Sequence, residues 1–182
     1  MVPATVILVF VLIWSIFRDT AQTLIIFVTV PLGLVGGFWL TWLLGYEVSV
    51  ATVVGFIGLA GITSEFGVVM MLYLRTAWQS QCEAGNANEE GLAAAIREGA
   101  LLRVRPIAMT VAVIFLGLLP IMFGSGSGSN LVRSIATPMV GGMITAPILS
   151  MLVIPVAFRL LERRRLQKRN EQHFLQQEEN RS

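Results

Sequence analysis

Apolar residues along this chain gather in long uninterrupted blocks separated by short polar breaks. Ala21 to Leu44, Val50 to Leu74, Pro106 to Phe123 and Ser134 to Phe158 are almost wholly apolar, each near or above the roughly 17 to 25 residues that a helix needs to span a bilayer. A fifth block, Val2 to Phe17, is slightly short. The pattern predicts an all-α membrane protein with five transmembrane helices, over about 2–17, 21–44, 50–74, 106–123 and 134–158. A loop at 75–105 and a tail at 159–182, basic first and polar later, complete the organisation.

The connections are small. Gly45 to Ser49 reads as a tight turn, Gln79 to Glu90 as a polar loop, and Gly124 to Asn130 (GSGSGSN) as a flexible hairpin. Between the last two, Gly91 to Arg105 sets Leu92, Ala95, Ile96, Leu101 and Leu102 against Arg97, Glu98 and Arg103. That amphipathic pattern suits a helix lying at the membrane surface, or a plain connector. Pro31, Pro120, Pro138, Pro147 and Pro155 fall inside or at the ends of the blocks, where each removes a helix hydrogen bond and permits a kink.

Composition agrees with lipid as the solvent. Of 182 residues, 55% are hydrophobic and 13% charged, and the mean hydropathy is +0.75. That leaves too little polar surface for a soluble globule of this length. Arg18, the loop 75–105 and the tail hold twelve of the thirteen Lys and Arg residues, Arg133 being the exception. Five alternating spans put those twelve on one face, which the positive-inside rule makes cytoplasmic, so the N-terminus is expected outside and the C-terminus inside. A chain that starts on the outer face with no cleavable signal is expected to be numbered from partway into a span of a longer protein. The alternative is a small five-span protein with a frayed first helix.

Glu65 is the one charge between Val50 and Leu74. A carboxylate near the middle of a bilayer costs about 3 kcal/mol and usually persists where it carries protons, ions or a partner charge. Gly55, Gly58 and Gly61 precede it at turn-like spacing, and small residues let a second helix come close. Glu65 is therefore expected to point into a helix bundle, where burial raises a carboxyl pKa and favours proton exchange. The competing expectation is a permanently protonated acid held by a neighbouring helix.

Other chemistry is thin. The hairpin lacks the GK[ST] ending of a phosphate cradle and has no βαβ surroundings, Cys82 is the one cysteine, and His173 the one histidine. These leave no constellation for a hydrolase, and the fold calls for no cofactor and no nucleic acid. The eight methionines are the remaining candidates. Met139 and Met143, four apart on one helix face, could offer thioethers to Cu(I) or Ag(I), although methionine also serves as adaptable core filler. The basic start of the tail could meet anionic lipid headgroups.

Three runs carry a resemblance. SVATVVGFIGLAGITSEFGVVMMLYLR (Ser49 to Arg75), EGALLRVRPIAMTVAV (Glu98 to Val113) and ATPMVGGMITAPILSMLVIPVAF (Ala136 to Phe158) closely resemble the last spans of resistance-nodulation-division transporters. Within them they look like the heavy-metal efflux branch and its copper/silver pumps. The resemblance implies a homotrimer in a bacterial inner membrane, working with a periplasmic adaptor and an outer-membrane channel to expel Cu(I) or Ag(I) against protons. It implies for Glu65 a charged relay position. The chain departs from the branch at Ile107, where a membrane lysine is expected, and at Val132, where a methionine of the metal path is expected. The family's paired acidic residues and periplasmic metal-binding domains belong to earlier segments, so this polypeptide alone is not expected to pump. An exporter of drugs or other cations, and a truncated non-transporting remnant, stay open as alternatives.

Overall fold

Two residues, Arg18 and Asp19, separate the first two helices, and their chemistry makes the break. The computed structural model describes residues 2–123 and 129–179, with side chains over 4–123 and 129–168. Within them run α1 (Val2–Phe17), α2 (Thr20–Leu43), α3 (Val50–Glu83), α4 (Glu89–Phe123) and α5 (Ser129–Glu179). Arg18 takes the left-handed conformation (φ 49) and its N–H donates to Trp14 O at 2.7 Å, closing α1. Asp19 is extended, and its Oδ1 accepts from Ala21 N at 3.0 Å to cap α2. A carbonyl left free at the end of α1 is met from α3, where Arg75 Nη1 donates to Phe17 O at 2.7 Å.

The later breaks use glycine and small polar caps. Gly45 (φ 67) and Gly85 (φ 81) are left-handed and end α2 and α3. Each is flanked by a closing hydrogen bond, Tyr46 N to Thr41 O at 3.1 Å and Asn86 N to Gln81 O at 2.9 Å. Ser49 and Thr52 form a reciprocal capping box at the start of α3. Asn88 Oδ1 accepts from Gly91 N at 2.7 Å and starts α4.

These signals move the expected boundaries. The predicted loop Gln79 to Glu90 is too long, because α3 stays helical through Glu83 and only residues 84–88 connect it to α4. The stretch Gly91 to Arg105 is not a separate surface helix but the first part of α4, which continues across Pro106 to Phe123. Its apolar side chains Leu92 and Ala95 are buried with Met71, Leu74 and Trp78. Burial against α3 uses the face that a surface helix would give to lipid. At Gly99 the approach is close: a Cβ there would stand 3.1 Å from Tyr73 O. The last helix also runs beyond the predicted 134–158, from Ser129 through Phe158 and into the basic segment. Of the GSGSGSN hairpin, 124–128 lie outside the described residues, whereas Ser129 and Asn130 already belong to α5. The His173 side chain also lies outside them.

Four helices, α2 to α5, are long and apolar enough to cross a membrane, while α1 is shorter. The tightest crossing joins α2 and α5. A Cβ on Gly141 would collide with Gly36 O and Leu40 Cβ, and one on Gly36 with Thr145 and Gly141 O. Thr145 Oγ1 donates to Gly33 O at 3.2 Å across the same contact. Lipid tails give apolar side chains no reason to leave them, so such close backbone approach is what draws helices together. Several other interior hydroxyls bond their own helix, as Thr29 does to Ile26 O, Thr63 to Leu59 O and Thr137 to Arg133 O, whereas the buried Ser150 Oγ finds no partner among the described residues. Each bond made removes the cost of an unpaired polar group in hydrocarbon.

Gly141→Ala should therefore lower stability by about 1–3 kcal/mol, the range for overpacking a close contact. Gly61→Ala, where a Cβ would meet nothing within 4 Å, should leave it unchanged or slightly raised. Melting of both variants in detergent decides, and identical melting would remove the α2–α5 crossing as the source of stability.

Candidate functional site

The helix that carries Glu65 turns by about 100° per residue, so three-residue steps fall about 60° short of a full turn. Gly55, Gly58 and Gly61 consequently drift around α3 and do not form one straight stripe. Gly55 is buried against α5, where a Cβ would collide with Ile135 O. Gly58 faces the Met139 thioether, at 3.6 Å from the place a Cβ would occupy. Around Gly61 nothing lies within 4 Å of that place.

Glu65, seven residues after Gly58 and four after Gly61, falls between those two on the helix face, about 20° from the first and 40° from the second. Its side chain is exposed on a face it shares with Val54, Ile57, Gly61 and Leu72, all exposed. The bundle expected around Glu65 is not supplied by these five helices: Gly55, pressed against α5, lies about 80° away around α3, and Gly58, on nearly the same face as Glu65, has Met139 beside it. Glu65 makes no ion pair or hydrogen bond among the described residues. What the geometry offers is a carboxyl group on an uncovered, otherwise apolar and small-residue face.

Its neighbour Phe66 points the other way. Phe66, Ile107, Met143 and Ala146 form a closed apolar cluster between α3, α4 and α5, in which Ile107 is 2% exposed. The position at which the resemblance expects a lysine therefore holds a side chain packed beside Phe66. Met143 is fully buried in that cluster, whereas Met139 is half-buried over Gly58. Although four apart on α5, the two thioethers thus have different surroundings. Val132 is exposed near the start of α5. Met122 Sδ accepts from Thr137 Oγ1 at 3.7 Å, a contact between α4 and α5 that the sequence reading did not single out. No group of three or more His, Cys, Asp or Glu side chains suited to a metal occurs among the described residues.

At the arginine-rich end the sequence reading saw topology signals and missed specific pairs. Arg165 Nη2 donates to Asp19 Oδ2 at 2.5 Å and Nη1 to Glu162 Oε1 at 3.0 Å. Arg163 Nε donates to Glu89 Oε1 at 2.7 Å. These pairs fasten the extension of α5 to the α1–α2 break and to the start of α4. The available signal was Asp19 itself, an acid beside Arg18 at a helix start, with one carboxylate oxygen left over after capping.

The profile of the AcrB/AcrD/AcrF family matches residues 1–162. The chain is 51% identical over 173 residues to the cation efflux system protein CusA of Escherichia coli (strain K12), covering 92% of this chain and 16% of that protein. It is 50% identical over 171 residues to the putative cation efflux system protein SilA of Salmonella typhimurium, with 92% and 16% covered. The cobalt-zinc-cadmium resistance protein CzcA of Cupriavidus metallidurans is 36% identical over 165 residues, with 90% and 15% covered. Among solved structures, a heavy metal efflux pump superposes with a TM-score of 0.74 at 34% identity, over 88% of this chain and 15% of that one. The chain spans about one sixth of the length of the curated relatives it matches.

Ile107→Lys places a cation in the closed cluster around Phe66 and should cost about 3 kcal/mol, the insertion penalty for an unpaired intramembrane charge. Less protein should accumulate in membranes than for Ile107→Leu. Equal accumulation of the two variants would show that position 107 reaches a polar partner, contrary to the packing described.

Proposed function

Since this chain belongs to the AcrB/AcrD/AcrF family, we propose that it is the C-terminal membrane portion of a proton-driven exporter of Cu(I) and Ag(I), with Glu65 taking up and releasing the proton. One observation carries the reading: half of the residues over 92% of this chain are shared with cation efflux system proteins, and the sole charge of its apolar stretch from Val50 to Leu74 sits on an uncovered helix face. An ionised carboxylate against lipid costs about 3 kcal/mol. In the complete exporter that face of α3 therefore seats against further helices or water. A carboxyl group that is neutral in one packing and ionised in another couples proton transfer to movement of the helix bearing it.

The rest of the proposal follows the resemblance. The exporter works as a homotrimer in a bacterial inner membrane with a periplasmic adaptor and an outer-membrane channel. The N-terminal end of this segment lies on the periplasmic side and its arginine-rich end in the cytoplasm. Met139 and Met143 are the thioethers of this segment proposed to meet the metal. Met139, half-buried over Gly58, is accessible as placed, while Met143 requires α3 and α5 to part. A second reading, export of divalent cations, draws on the 36% identity to a cobalt-zinc-cadmium resistance protein. The soft thioethers favour the monovalent ions.

Glu65→Gln in the complete exporter should abolish both copper or silver tolerance in cells and metal-driven proton flux in vesicles, while Glu65→Asp should keep part of each. Unchanged tolerance at equal expression would exclude Glu65 from the mechanism. Protection against zinc, cadmium or cobalt without protection against copper or silver would select the second reading.

A further inference from the structure

Between α4 and α5 an open groove of about 330 Å³ is lined by Val104, Ile107, Val111, Met143, Ile148 and Met151 among wholly apolar side chains. Its two walls carry matching charges at one end. Arg97 precedes Val104 by seven residues and Arg159 follows Ile148 by eleven, spacings that return to nearly the same helix face. Both arginines are exposed. The two helices run antiparallel in register, since Arg163 on α5 meets Glu89 on α4. In that register Arg159 stands about one turn, roughly 6 Å, further out than Arg97, and Arg159 and Arg97 lie about three turns beyond Ile148 and about two beyond Val104 respectively.

Of the acids on the two walls, Glu89 and Glu162 are engaged, while Glu98, next to Arg97 in sequence and in no ion pair among the described residues, projects about 100° away from it around α4. Glu89 is held by Arg163, and Glu162 by Arg165, which also holds Asp19. Glu90 lies two turns of α4 further out, about 10 Å along the axis. Arg97 and Arg159 form no ion pair among the described residues. A cationic mouth above an apolar slot between membrane helices is the arrangement that recognises an anionic lipid: phosphate at the arginines, hydrocarbon in the slot.

We propose that the α4–α5 groove binds an anionic glycerophospholipid, one acyl chain lying between Val104 and Met143 and the phosphate held by Arg97 and Arg159. Charge complementarity selects this occupant over a helix, which would bury both guanidinium groups without a partner. The proposal is independent of what the protein exports.

The test is native mass spectrometry of the delipidated protein in neutral detergent, titrated with phosphatidylglycerol, with phosphatidylcholine of the same chains, and with glycerol phosphate. Phosphatidylglycerol should bind more tightly than phosphatidylcholine by about thirtyfold, the contribution expected of two arginines at a headgroup. The double variant R97A/R159A should abolish that preference while still binding both lipids weakly. Ile148→Trp, which fills the slot and leaves the arginines, should weaken both lipids together. Glycerol phosphate alone should not bind. Equal affinity for the two lipids, an undiminished preference in R97A/R159A, or glycerol phosphate binding as tightly as phosphatidylglycerol would each overturn the proposal.

Discussion

Helices in lipid gain nothing by hiding apolar side chains from a solvent that is itself apolar, so backbone must come close to backbone before packing becomes favourable. In this bundle the requirement is met at Gly36 and Gly141, where α2 and α5 leave no room for a methyl group on either side. Other contacts are arranged around that crossing. Gly142 accommodates Leu59 of α3, Gly33 accommodates Thr63, and Gly37 lies against Pro138 O. The side chains of α3 fill notches that the glycines of α2 and α5 leave open. Once α3 is seated, Phe66, Met70 and Leu74 become fully buried, and α4 adds Ile107 and Leu92 to the same interior.

A second constraint operates where the helices leave the membrane. There water competes for every polar group, and exposed ion pairs contribute little individually. The pairs here matter more by what they connect than by what each contributes. Arg165 reaches the Asp19 cap of α2, Arg163 reaches Glu89 at the start of α4, and Arg75 reaches the last carbonyl of α1. Two of those contacts fix the starts of α2 and α4 relative to α5, the helix continuing through the basic segment, and the third ties the end of α1 to α3. The acids satisfied in this way are no longer available to Arg97 and Arg159, so the free positive charge is left at the mouth of the groove.

Much of this was legible in the blocks of apolar residues. Length and hydropathy located the helices because bilayer thickness imposes a minimum on each, and Gly45, Ser49 and Asp19 marked breaks by their own local chemistry. The loop between α3 and α4 was misjudged for the opposite reason. Polar residues from Gln79 to Glu83 read as loop, yet a helix outside lipid tolerates polar side chains freely, and only Gly85 with its left-handed backbone ends α3. The stretch from Gly91 to Arg105 has a correct amphipathic pattern, but a pattern gives the apolar face without saying what covers it. Leu92 and Ala95 face Leu74 and Trp78. At Glu65 the small residues mark the face, since Gly58 and Gly61 lie within about 40° of it, but a pattern does not say which element covers that face.

The position of Ile107 bears on how Glu65 can work. A lysine there would give the carboxylate a cation from the neighbouring helix and favour its ionised form. With an isoleucine closed against Phe66, α4 supplies no such charge at that position. Among the described residues Glu65 has no ion-pair partner. Any partner of the carboxylate must then come from whatever faces Val54, Ile57, Gly61 and Leu72 beyond these helices. Gly61 helps, because the missing side chain lets a facing helix approach one turn from the carboxylate.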